Sequence, residues 1–140
     1  MERLADWQPR LEAYLRDLQR APRPVAAGRH DCCLFAAGAV EAQTGIDPAE
    51  AWRGRYTTYR GGLRMIRRDG HADLPALLAA HLPEIGLLAA MPGDIALVAS
   101  AEGPAMGVVQ GAAIYVLGAG GGLAAVPITA TQRVFAVGDR

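Results

Sequence analysis

The chain has 140 residues, half of them hydrophobic, and a formal net charge of zero. It is long enough for one domain with a real core, which excludes a disordered chain. No apolar run approaches the ~20 residues of a membrane-spanning helix. The N-terminus places acids before any apolar run and carries no cleavage site, so it does not read as a signal peptide. Synthesis in a cytoplasm is the expectation, and two adjacent cysteines without a disulfide framework suit a reducing compartment.

Taken in chain order, Glu2 to Arg20 carries Leu4, Trp7, Leu11, Leu15 and Leu18 at helical spacing. That pattern predicts an amphipathic helix laid against a core. Ala21 to Pro24 breaks it and leads into Gly28 to Gly45, the stretch around which the rest is organised. Asp31 stands where an N-cap belongs, small and apolar residues run from Cys32 to Val40, and Gly45 stands at a C′ position. A helix apolar on nearly all sides is a core helix, and Cys32 in its first turn would feel the positive end of the macrodipole, which favours thiolate. Cys33, about 100° round the helix, is expected to point into the core.

Next, Asp47-Pro48-Ala49-Glu50 reads as a helix start, with Asp47 as cap, Pro48 at N1 and Glu50 reaching back. Thr57 and Thr58 offer a cap for a helix from about Tyr59 to Arg68, with Gly61 and Gly62 allowing close packing. A further short helix covers Asp73 to Leu82. From Met91 the pattern changes: a Pro-Gly-Asp turn, then IALVA, PAMGVVQ, AAIYVLG, LAAVPI and RVFAVG as short strands. Helices followed by strands in hairpin-like order predict a single α+β domain over residues 1–140, helical to about residue 85 and β from about 92 to 138. The glycine cluster at 118–122 lacks a Gly-Lys-Ser or Gly-Lys-Thr ending, so it is not a phosphate loop.

Every cation is an arginine, and six of them (Arg53, Arg55, Arg60, Arg64, Arg67, Arg68) lie between Trp52 and Arg68 with no acid among them. Such a run serves as a solvated helix face or, with Tyr56, as a protein-docking face, since arginine is enriched and lysine depleted at interfaces. The balanced total charge leaves no broad footprint for nucleic acid. His30, Cys32 and Cys33 offer three metal ligands, but only the isolated His71 and His81 follow, so no metal site and no cofactor is expected.

A buried helix opening with Asp31-Cys32, followed by the turn Pro92-Gly93-Asp94 and a small antiparallel sheet, resembles the NlpC-like branch of papain-like cysteine peptidases. The resemblance implies a papain-like fold, a central helix packed on the sheet, Cys32 at the nucleophile position and Asp31 as its cap. Four further stretches, His30–Ala37, Thr44–Ala49, Arg53–Tyr56 and Gly93–Gly107, resemble small phage- and prophage-encoded proteins related to the NlpC-like domains of tail tips. That likeness implies a virion tail protein, made in the host cytoplasm and docked on other tail-tip proteins.

One departure bears on activity. The peptidase family opens its next strand with His-Val-Gly-Ile. Here Gly107 fits the family's glycine, which puts Ala105 where the imidazole belongs, and the strand after offers only Tyr115 as a polar group. His30, two residues before Cys32, is the substitute base within reach in sequence. The expectation is a structural component on a degenerate peptidase fold. The alternative is a peptidase or amidase cleaving peptidoglycan peptides during phage entry, with Cys32 as nucleophile. A small-molecule or lipid module using the relict cleft has no positive support in the residues.

Overall fold

The computed structural model describes residues 1–140. Its centre is α2 (Cys32–Thr44), which buries residues around nearly its whole circumference, from Leu34 and Phe35 to Gln43 and Thr44. The Asp31 carboxylate accepts from the Leu34 N–H at the start, and Gly45 ends the helix in the left-handed region at φ 79°. Against one side packs α1 (Trp7–Arg20), burying Leu11, Leu15 and Leu18. The periodic pattern began at Glu2, but the helix begins five residues later, because the Leu4 N–H is taken by the Gln43 carbonyl at 2.7 Å. The first residues lie along the end of α2 instead.

Two shorter helices follow, α3 (Tyr59–Arg68), capped by the Thr58 side chain, and α4 (Leu74–His81), capped by Asp73. The helix expected at Asp47 is absent. Residues 48–54 form consecutive turns, although the Asp47 carboxylate does accept from the Ala49 N–H at 3.0 Å. Glu50 does not close a capping box. Arg53 instead donates to Asp47 at 2.6 and 3.2 Å, and the Gly54 N–H bonds back to the Gly28 carbonyl at 2.8 Å. Those longer-range bonds hold the backbone in turns.

The β half is a single antiparallel sheet of six strands: β1 (Glu84–Ile85), β2 (Ile95–Ser100), β3 (Gly103–Gln110), β4 (Ala113–Leu117), β5 (Leu123–Pro127) and β6 (Arg133–Phe135). Their spatial order is β1-β6-β2-β3-β4-β5, so the hairpins run in sequence and only β6 returns to the far side of β2. The protein is therefore α+β, as the order of helices and strands implies. Strand alternation sends Ile95, Leu97, Met106, Val108 and Phe135 to one face, where they join Leu11, Leu15, Phe35 and Ala36 in the main core. The opposite face carries a second cluster of Ala96, Val98, Val109, Ile114 and Val134. Each fully buried Leu, Ile or Phe side chain of the main core contributes about 1.5–3 kcal/mol. No helix is long and apolar enough to cross a membrane.

Candidate functional site

The first turn of α2 is held by one carboxylate. Asp31 Oδ1 accepts from the Leu34 N–H at 2.9 Å, while Oδ2 accepts from the Gly28 N–H at 3.0 Å and from the Tyr56 hydroxyl at 2.5 Å. The approach is so close that a Cβ on Gly28, which has φ +80°, would lie 1.9 Å from the Tyr56 carbonyl oxygen. The Tyr56 ring packs against α3 at Gly62, where a Cβ would meet it at 3.0 Å. Burial, and after it the bond to Asp31, push the Tyr56 phenol far above its ordinary range. Tyr56 is thus the residue that ties the 53–56 segment to the helix cap.

Cys32 and Cys33 line a cavity of about 80 Å³ between α2 and α3, walled largely by Trp52, Tyr59, Leu63 and Ile66. Cys33 also borders a smaller cavity of about 40 Å³ toward Leu77 and Leu78 of α4. Both thiols are half-buried and free. The macrodipole was expected to depress the Cys32 pKa, and the structure overturns that. Burial pushes the Cys32 thiol up, outweighing the hydrogen bonds from the Met106 and Cys33 backbones that favour thiolate. Burial pushes Cys33 up to about 12, with the neighbouring Cys32 and Asp31 adding to it. A helix N-terminus stabilises a thiolate by a fraction of the cost of taking that thiolate out of water.

The strand facing α2 is β3, and here the structure changes the register read from the sequence. Ala105 packs on the far face of the sheet with Val98 and Val109. Met106, paired with Leu97 on β2, faces α2 and belongs to the main core with Phe35 and Ala36. The side chain presented to the thiol helix is therefore a methionine, which can neither accept nor deliver a proton. On the next strand Tyr115 packs against the same core.

His30 does not act on Cys32. Its Nε2 lies 2.7 Å from the Gly121 carbonyl oxygen and its Nδ1 lies 3.4 Å from Arg23 Nη2. A carbonyl only accepts and a guanidinium only donates, so the neutral ring carries its proton on Nε2 and gives its Nδ1 lone pair to Arg23. The ring is buried and lines a separate cavity between α1, α2 and the 23–30 connector. The groups acting most on the two thiols are Met106, Asp31 and each other, not a histidine. His81 lies on α4 with its Nδ1 2.9 Å from the Leu77 carbonyl and its ring against those of Trp52 and His71. No group of three or more His, Cys, Asp or Glu side chains converges so as to hold a metal.

The arginine run separates into two sets. Arg53, though still exposed, pairs with Asp47 and reaches the Leu34 carbonyl, and the Tyr56 hydroxyl is spent on Asp31. Arg55, Arg60, Arg64, Arg67 and Arg68 are exposed, and none of them is in the protein's ion pairs, which are Arg3–Asp94, Arg53–Asp47, Arg133–Glu84 and Arg140–Asp94. Arg60, Arg64, Arg67 and Arg68 stand at i, i+4, i+7 and i+8 and share one face of α3. Trp52 packs on Leu34, Ala37 and Ala49 while its indole N–H donates to Asp69 at 2.7 Å.

Sequence reading missed a buried polar cluster at the other end of α2. Asp94, fully buried, accepts from the Met91 N–H at 2.8 Å, from the Val137 N–H at 3.0 Å and from Arg140, with Arg3 at 3.6 Å. Gln43 donates to the Ala39 and Gly93 carbonyls and accepts from Arg3. The available signal was an aspartate directly before the apolar run Ile95 to Ala99, where a carboxylate must find several donors.

These features define an α+β protein whose central helix opens with a capped, half-buried thiol and ends in a satisfied carboxylate cluster. The chain belongs to the family described as "Domain of unknown function (DUF6950)", which matches residues 2–137. No curated protein matches the chain.

Proposed function

We propose that this protein is a structural or assembly component of a phage tail tip, built on a papain-like fold of the NlpC type whose peptidase activity is lost. The observation that carries the reading is the environment of Cys32. A thiol pushed upward by burial, facing Met106, with the nearest imidazole in sequence bonded to Gly121 and Arg23, has no group to take its proton or to protonate a leaving amine. Loss of one member of such a triad costs several orders of magnitude in rate. The likeness of Asp31-Cys32 and Pro92-Gly93-Asp94 to the peptidase motifs supports the ancestry, and the exposed arginines of α3 supply a face suited to protein contacts.

A second reading is a cysteine hydrolase of peptidoglycan peptides, favoured by the cavity that opens beside Cys32. Mass spectrometry and cryo-electron microscopy of purified virions test the first. The protein is expected in the particle at fixed stoichiometry, and its absence there overturns the reading. Turnover of cell-wall peptides that vanishes in Cys32→Ala would establish the second.

A further inference from the structure

The cavity that receives His30 has a character unlike the thiol cavity. It is a recess of about 250 Å³, open to solvent on one side, with room for roughly eight waters at liquid density. Four arginines reach it from three parts of the chain: Arg10 on α1, Arg23 and Arg29 on the connector, and Arg53 on the turn after α2. Arg53 is answered by Asp47. Arg10, Arg23 and Arg29 are in none of the protein's ion pairs, and Glu41 is the one carboxylate in the wall.

The donors left over are directional. Arg10 uses its Nε on the Ala42 carbonyl at 2.8 Å, which orients the guanidinium and leaves both terminal nitrogens uncommitted. Arg23 is positioned by His30 Nδ1 at 3.4 Å, and that imidazole is itself anchored on the Gly121 carbonyl. The Arg29 backbone N–H donates to the Ala26 carbonyl at 3.0 Å, while its guanidinium, also on the cavity wall, makes no hydrogen bond to the protein. Arg10, Arg23 and Arg29 are exposed around one recess, and three guanidinium groups without a carboxylate partner create a local positive potential there that favours an anion.

We propose that this cavity is a binding site for a small phosphorylated anion. Guanidinium groups arriving from different segments suit a tetrahedral phosphoryl group, whose oxygens point in several directions, better than a planar carboxylate, which one fork satisfies. In this arrangement His30 is a positioning residue. It holds Arg23 toward the ligand, and this accounts for a buried neutral histidine that the thiol does not use. The site does not depend on the tail-tip reading.

Pyrophosphate is the probe, titrated calorimetrically into the full chain at low ionic strength, with melting temperature as a second readout. One molecule is expected to bind per chain, with saturable stabilisation. Arg29→Gln removes a side chain with no protein partner and is expected to weaken binding by roughly tenfold or more. Arg64→Gln, on the distant α3 stripe, is expected to leave it unchanged. Citrate is expected to bind more weakly than pyrophosphate. Absence of saturable binding at millimolar pyrophosphate overturns the site. Binding that survives Arg29→Gln but falls with Arg64→Gln also overturns it, and citrate binding as tightly as pyrophosphate overturns the phosphate assignment.

Discussion

The two ends of α2 solve opposite problems. At the C-terminal end, Gln43 and Asp94 are fully buried, and their polar atoms are matched by Arg3, Arg140 and four backbone groups (the Ala39 and Gly93 carbonyls, the Met91 and Val137 N–H groups). At the N-terminal end, two thiols sit against an apolar cavity, and burial keeps both protonated. Buried charge is stabilising only where its donors are in place, and a buried group without them reverts to its neutral form. The Pro92-Gly93-Asp94 turn is thus the architectural end of the helix, and Asp31-Cys32 is its packed start.

The sharpest way to break this contrast is at Asp94. Asp94→Asn places an amide donor where Met91, Val137 and the two arginines all donate, and it is expected to cost ~3–5 kcal/mol, read from urea unfolding with an unchanged m-value. Gln43→Leu strands the Arg3 Nε–H and the Gly93 carbonyl, while the rest of the Arg3 guanidinium keeps Pro92 and Asp94, for about 2 kcal/mol. If either variant unfolds at the wild-type denaturant midpoint, the cluster is not what closes that end.

At the other end the effects are smaller. Tyr56→Phe removes one bond to Asp31 in a half-buried place that water can reach, and is expected to cost about 1 kcal/mol by thermal or urea unfolding. Stability should also fall with rising pH. The folded state holds the protons of Cys32 and Cys33 above the ordinary thiol value, so the unfolded state binds fewer protons once pH passes its own thiol pKa of about 8.5. The loss begins there and continues toward the folded Cys33 value of about 12. Between about pH 8.5 and 10, before unfolded tyrosine titrates, the slope should disappear in the Cys32→Ala/Cys33→Ala double variant. Alkylation of Cys32 in a Cys33→Ala background should show an elevated thiol pKa that His30→Ala does not raise further. A depressed value dependent on His30 would restore the hydrolase reading.

The smallest effect on stability is expected on α3. Arg64→Glu should change the unfolding free energy by less than about 0.5 kcal/mol. Under the tail-tip proposal it should nonetheless reduce incorporation into particles, measured by quantitative mass spectrometry of virions.

Much of the fold was legible because its signals are local. Asp31 and Gly45 mark the ends of α2, Thr58 and Asp73 cap α3 and α4, and short apolar runs with turns between them mark the sheet. The Asp47 segment shows where local signals stop. Its cap, proline and glutamate all favour a helix start, but Arg53 takes the Asp47 carboxylate and Gly28 takes the Gly54 N–H. The site was half legible. The thiol and its cap could be read, but Ala105 and Met106 are neighbours in a strand, and a shift of one residue exchanges the faces of the sheet. Only the pairing of Leu97 with Met106 says which of them meets α2.

Local sequence was enough for the caps of α2, α3 and α4, the apolar central helix, the order of helices before strands, the clustering of arginines and the place of Cys32 at a helix start. Each follows from backbone hydrogen bonding and side-chain periodicity within a few residues. The tertiary structure alone decided that His30 turns to Gly121, ninety-one residues away, that Asp94 gathers donors from both termini, that the arginines divide between a cavity and a surface, and that the thiols stay protonated. Those outcomes depend on burial and on partners distant in the chain, and no local pattern encodes either.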